Sequence, residues 1–388
     1  MDTRPLDDFL QQATGHDGYL GAVALVLQDG KIVYQGVAGH ADLARTRPMT
    51  EDAIFRIYSM TKPITSVAAL VLVEEGRLRL DDPVARYLPE MAGLRRFAGG
   101  TAEAPRLEPL VRTLTVRHLL THTAGFATGG EGREEASRLL EQADPSSAKD
   151  LADFAARVAR VPLAEEPGTS FRYDGVNTEV LARVVEVASG QSLDAFLRQR
   201  ILVPLRMRDT GFSVPPSQRA RVVDITVMGD DGRLALDDGP SAREPGARLR
   251  AYDSGAGGLY STAADYLRFA RMLANGGTLD GVTVLRPDSV DLMMRDQLPL
   301  FDPPVPSPIA GEGFGLGGYV VTDAQASARP GSPGQFGWSG AASTYFTIDR
   351  QRDIVALLLA QHLPGDGRDE LPKLANAFYR RVYLAVAP

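Results

Sequence analysis

Ser59 and Lys62 stand three residues apart in YSMTK, residues 58–62. Positions i and i+3 of a helix share a face, so a helix starting near Ser59 sets the lysine one turn along, beside the hydroxyl. Pro63 is tolerated only in a first turn, where its missing N–H has no partner to lose, and this fixes the helix start close to Ser59. The serine oxygen then lies at the positive end of the helix dipole, which favours charge developing on it. A serine hydroxyl is a poor nucleophile until a base removes its proton. A lysine takes part when burial or neighbouring charge eases loss of its own proton, and the apolar run ITSVAALVLVEE behind Lys62 provides burial. Two fixed positions in four recur by chance, so the pair calls for further residues.

Other chemistries have weaker footing. No serine carries the G-x-S-x-G elbow of a Ser-His-Asp hydrolase. The five histidines are His16, His40, His118, His122 and His362. His118 and His122 share a helical face in HLLTH, but a zinc protease places glutamate where Leu119 stands, and the pair reads as residues closing a helix and a turn. The chain has no cysteine, which removes disulfides, thiolate metal sites and a cysteine nucleophile. The stretches GGEGR and GFGLGG are glycine-rich without being phosphate or dinucleotide loops. No metal and no cofactor is expected.

The elements that must position Ser59 and Lys62 fall in a distinct order. Strand-rich runs flank Asp29-Gly30 within residues 21–39, a hairpin signal. Residues 343–361 read as two strands around a polar turn. Leu371, Leu374, Phe378 and Tyr383 have helical spacing in the final stretch that begins at Gly367. The middle is helical in character at 64–75, 147–160, 177–202 and 262–275, the last stopped by Gly276-Gly277. Residues 228–252 and 298–313 read as long loops. We expect one sheet built from both ends of the chain, residues 1–75 and 250–388. A mostly helical region, 76–249, is inserted, with the active site between the two.

The bulk figures fit a globular enzyme: 388 residues, 44% hydrophobic and 23% charged. A net charge of -7 argues against nucleic acid or an anionic membrane as the main partner. The N-terminus has no signal-peptide pattern, and the longest apolar runs, such as IVALLLA at 354–360, are far short of a membrane span. A cytoplasmic protein acting on a small molecule is expected, with its oligomeric state open.

The surrounding series carries a resemblance. FRIYSMTKPIT (55–65), GRLRLDDPVARYLPE (76–90), LTVRHLLTHTAGF (114–126) and PGTSFRYDGVNTEVLARVVEVASGQ (167–191) are followed by PLRMRDTGF (204–212), GAGGLYSTAADYLRFARML (255–273) and FGWSGAASTYFTID (336–349). In this order they resemble the serine β-lactamase and penicillin-binding-protein superfamily, most nearly class C β-lactamases and the family VIII carboxylesterases. The resemblance implies a class C β-lactamase-like α/β (α+β) fold, an antiparallel sheet flanked by helices with an inserted helical domain. It assigns Ser59 and Lys62 to the S-x-x-K motif and Tyr173 to the tyrosine of Y-x-N. Trp338, Ser339 and Gly340 stand at the third motif, K-T-G in β-lactamases, as substrate-binding residues. The backbone N–H groups of Ser59 and Ala341 become the oxyanion hole. HLLTH is structural in that family.

Two departures matter. Gly175 replaces the asparagine of Y-x-N, and Trp338 replaces the lysine of K-T-G. Both remove polar recognition of an anionic amide substrate, and an indole offers only one N–H. A Ser-Lys-Tyr hydrolase of short-chain carboxylic esters is the resulting expectation. A β-lactamase, a D-amino-acid amidase and an acyltransferase working through the same acyl-enzyme are the alternatives.

Overall fold

A computed structural model describes residues 2–365 and 370–386. Its centre is a seven-stranded sheet in which every neighbouring pair is antiparallel. In chain order the strands are β1 (Gly21–Gln28), β2 (Lys31–Gly39), β3 (Glu312–Phe314), β4 (Tyr319–Val321), β5 (Phe336–Gly340), β6 (Thr344–Asp349) and β7 (Ile354–Leu359). Their spatial order is β3-β4-β5-β6-β7-β1-β2, so the first hairpin of the chain closes against its last strand.

The first hairpin turns at Asp29 (φ 49) and Gly30 (φ 72). Two consecutive left-handed residues form the tight turn that matches strand twist, which is why this dipeptide signals a hairpin. Residues 343–361 supply β6 and β7 as expected. β3 and β4 are not among the expected strands: they are three residues each, too short to show alternation, and GFGLGG runs from within β3 to the start of β4.

Helices cover both faces of the sheet, and β1 shows how. Val23, Leu25 and Leu27 join one apolar cluster with α2 (Thr61–Glu74) and residues of α4 (Ala263–Ala274). Ala22, Ala24 and Val26 point the other way, toward Leu6, Phe9 and Leu10 of α1 (Arg4–Ala13) and Phe378, Tyr379 and Val382 of α5 (Ala375–Val386). Alternate residues thus serve opposite faces, and the whole strand is apolar because neither face meets water. Leu371 and Leu374 are buried ahead of α5, and the start of that expected helix, 367–369, lies outside the described residues.

Helices form within each of the stretches 64–75, 147–160, 177–202 and 262–275, the third with a break. Residues 177–202 do not form one helix: α3 (Val176–Ser189) ends at Gly190 in the left-handed conformation (φ 71), and Ser192 caps a new helix at Leu193–Leu197. Residues 228–252 are not a bare loop either. They include one strand of a small hairpin, Thr226–Met228 with Leu234–Leu236, and a helical turn at Pro240–Arg243. Among the described residues no helix is long and apolar enough to cross a membrane.

Candidate active site

α2 is the element that sets the site. Residues 61–72 are all buried, so this helix is enclosed round its circumference and runs through the core. Ser59 precedes it in the short helical turn Tyr58–Met60. Tyr58 is held at φ 40, a conformation that costs a non-glycine residue of order 1–3 kcal/mol and is kept only where its surroundings over-determine it. They do so here. Ile57 N–H donates to Leu259 O at 3.0 Å, and the Tyr266 hydroxyl donates to Met60 O at 2.9 Å. Leu259 N–H donates to Thr61 Oγ1 at 3.2 Å.

Gly340, at the end of β5, completes the frame. A Cβ there would lie 2.4 Å from Ile57 O, so only glycine lets the strand pass this close to the turn carrying Ser59. The third-motif strand and the S-x-x-K turn are thereby pressed together, with Ala341 directly after the contact.

The ammonium of Lys62 donates to Ser59 Oγ at 3.0 Å and to Ala256 O at 2.8 Å. Lys62 is buried while Ser59 stays half-exposed, so the nucleophile is reachable and the amine is not. Lys62 Nζ also sits 4.9 Å from the centroid of the Tyr173 ring, a cation facing an aromatic surface. The Tyr173 hydroxyl accepts a hydrogen bond from Trp338 Nε1 at 3.3 Å. Ser59, Lys62, Tyr173 and Trp338 are therefore brought together. The tyrosine meets the lysine through its ring and the tryptophan through its oxygen.

Two cavities meet at Tyr173. One, of about 570 Å³, holds Ser59 and Lys62 with Tyr58, Phe154, Val176 and Tyr252 on its walls. The other, of about 590 Å³, is walled by Phe171, Phe314, Tyr319 and Trp338, with Ser339 and Lys373 also on its lining. Trp338 packs edge-on against Phe314, ring centroids 5.2 Å apart, which holds the indole upright beside Tyr173. Gly175 lies in the wall of the first cavity and heads α3; a Cβ there would meet only the Ala256 methyl at 3.8 Å. Space does not force glycine at this position.

The histidines take separate tasks. His118 caps its own short helix through Thr115 and stacks on Phe301. His122, fully buried, lays its ring against Tyr173 at 4.9 Å and accepts Asp174 N–H at 3.3 Å. Burial, with Lys62 nearby, keeps His122 well below the usual histidine range, so it stays neutral and acts as a wall for the tyrosine. The HLLTH spacing that marks His122 as structural gives no sign of its contact with Tyr173. No motif marks Glu179 or the Ala256 carbonyl. Burial pushes Glu179 up to about 7, against the pull of Ser254 and Lys62, and it lines the Ser59 cavity.

A buried lysine bonded to a reachable serine, with a tyrosine ring facing the lysine, brings together groups that can serve nucleophilic chemistry. The family model described as Beta-lactamase matches residues 6–379. An uncharacterized protein of Mycobacterium tuberculosis is 36% identical over 394 residues, covering 94% of each chain. Esterase EstB of Burkholderia gladioli is 35% identical over 378 residues, 91% of this chain and 89% of that one. Among solved structures, EstCE1, described as a hydrolase with promiscuous acyltransferase activity, superposes with a TM-score of 0.78 at 26% identity over 98% of both chains.

Proposed function

This chain belongs to the Beta-lactamase family, with esterases among its relatives, and from that premise we propose that it hydrolyses neutral carboxylic esters of short acyl chain through an acyl-enzyme on Ser59. One observation carries the reading: the Lys62 ammonium bonded to Ser59 Oγ at 3.0 Å, with Trp338 standing beside Tyr173 where β-lactamases place a lysine.

In this mechanism Ser59 Oγ attacks the ester carbonyl and its proton passes to the Lys62–Tyr173 pair, with Tyr173 as general base. Lys62 holds the serine oxygen and faces the phenol ring, favouring negative charge on the tyrosine. The indole N–H favours the same charge through its hydrogen bond. The backbone N–H groups of Ser59 and Ala341 receive the oxyanion, each worth roughly 3 kcal/mol in the transition state. The proton returns to the departing alcohol. Water, activated by the same base, then attacks the acyl-enzyme, releasing the acid and restoring Ser59.

Preference for a neutral ester follows from the groups that surround the serine. The indole of Trp338 supplies no positive charge for a substrate carboxylate, and Gly175 supplies no amide for a substrate amide. The aromatic cavity beyond Trp338 supports a second use of the same intermediate, transfer of the acyl group to an alcohol held there instead of to water. EstCE1, whose structure is similar, is described as a hydrolase with promiscuous acyltransferase activity. A panel of aryl esters assayed beside a chromogenic cephalosporin, with and without added alcohol, tests the assignment. Ester turnover abolished by Ser59→Ala supports it, and cephalosporin turnover equal to ester turnover contradicts it.

A further inference from the structure

Glu179 lies in the first turns of α3, after Tyr173 in the chain, and is only 5% exposed. Its two oxygens accept from Ser254 Oγ and from Gly255 N–H, the latter at 3.0 Å. Ala256 O, in the residue that follows Gly255, receives Lys62 Nζ at 2.8 Å. Thr65 Oγ1, one turn after Lys62 on α2, donates to Gly255 O at 2.8 Å. Residues 254–256 are thus clamped between the carboxyl of α3 on one side and α2 on the other.

Lys62 is 3% exposed, and no carboxylate lies within ion-pair distance of it among the described residues. An ammonium that deep needs negative charge in its surroundings. Two buried carboxyls share its field, Asp174 and Glu179. Asp174 is committed to the head of α3, accepting from Asn177 N–H, Asn177 Nδ2 and Thr128 Oγ1. Only Glu179 is bonded to the segment that aims the lysine. We propose that Glu179 is a positioning residue of the catalytic set: it fixes the Ala256 carbonyl that directs Lys62 at Ser59, and its negative charge balances the buried ammonium. This rests on the Ser59–Lys62 reading given above.

The groups that face Glu179 are Lys62 from α2, and Tyr252 and Ser254 from the segment that leads to Ala256. Burial pushes Glu179 up to about 7, so it carries its charge on the alkaline side, where a Lys–Tyr base is most effective. Were its task only to pin a turn, a neutral amide of the same shape would serve nearly as well.

The test is the rate at which a fluorophosphonate labels Ser59, with ester kcat and KM alongside, across neutral and alkaline pH in Glu179→Gln, Glu179→Asp and Ser254→Ala. Misaiming of a reacting group costs on the order of 10- to 100-fold. Glu179→Gln is expected to lose that much in labelling rate and kcat with KM little changed. Its rising pH limb should move to lower pH, because removing a negative charge eases proton loss from both Lys62 and Tyr173. Glu179→Asp should keep the limb in place, and Ser254→Ala should slow labelling by less with the limb unmoved. A folded Glu179→Gln protein that labels at the wild-type rate with an unchanged limb overturns the proposal. If Glu179→Gln does not fold, unchanged labelling in Ser254→Ala overturns it instead. Ser59→Ala, run beside them, separates the two claims. If it is inactive, an indifferent Glu179 variant sinks this inference alone; if it is active, the catalytic reading falls and takes the inference with it.

Discussion

Trp338 Nε1 donates to the Tyr173 hydroxyl at 3.3 Å, and the two rings lie 4.9 Å apart. The third-motif residue of this chain therefore bonds to the proposed base, while its indole forms a wall of the aromatic cavity. A hydrogen bond to an ionised oxygen is about twice as strong as one to a neutral oxygen, so this contact favours the phenolate. Trp338→Phe keeps the wall and removes the donor. We predict a kcat about tenfold lower with the rising limb of the pH profile displaced to higher pH, a shift opposite to that of Glu179→Gln. An unchanged limb in Trp338→Phe would show that the indole N–H has no part in setting the base.

Lys62 and Tyr173 should behave as one unit. Tyr173→Phe and Lys62→Ala are each predicted to lower kcat by several orders of magnitude, with the double variant little worse than either single one. The check is single-turnover kinetics of all three. In the resting arrangement the Tyr173 oxygen is bonded to Trp338, and the group bonded to Ser59 is Lys62. Near-wild-type kcat in Tyr173→Phe would therefore move the base role to Lys62. His122 cannot inherit it easily, since it is fully buried with its Nδ1 committed to Asp174 N–H.

The parts of this site that were legible in the sequence were those set by local spacing. Ser59 and Lys62 announce themselves because i, i+3 geometry and Pro63 fix the helix start without help from the rest of the fold. Tyr173 and the Trp338-Ser339-Gly340 strand came through the ordered motif series. Glu179 was invisible for a physical reason: on α3 it reads as one more polar position, and its partners Ser254 and Gly255 are 75 and 76 residues away in the chain. The same holds for β3 and β4, whose place beside β5 is decided by tertiary pairing instead of by any pattern in three residues. The break at Gly190 was legible in principle, since a glycine followed by Gln191-Ser192 supplies both a helix stop and a new cap.

Substrate preference gives a third prediction. Losing a hydrogen bond to a charged group costs about 1.5–3 kcal/mol, and this site lacks both the lysine and the asparagine that β-lactamases offer. We predict kcat/KM for short aryl esters at least about 100-fold above that for penicillins. Trp338→Lys should narrow the ratio from both sides. Comparable values for the two substrate classes in the wild type would place the protein among antibiotic hydrolases.

Glu179 also makes a prediction about stability. Its carboxyl rises from an ordinary 4.5 to about 7 in the folded protein, chiefly through burial. A raised group contributes stability that is whole below its unfolded value and is lost as pH climbs through its folded value. Between those two points the wild type should lose, from this group alone, on the order of 3 kcal/mol. Glutamine has no proton to lose. The melting temperature of Glu179→Gln, measured relative to wild type, should therefore climb as pH rises through that window. A difference that stays constant with pH would contradict the buried ionisation. A residue that destabilises the fold when charged and sits beside the catalytic lysine fits a trade of stability for activity.

The most direct measurement is intact-protein and peptide mass spectrometry after brief mixing with an activated aryl ester and rapid acid quench. We predict a mass increase equal to one acyl group, mapped to the peptide carrying Ser59, decaying as the acid is released and absent in Ser59→Ala. An acyl group on another residue, or full ester turnover by the Ser59→Ala protein, would contradict it.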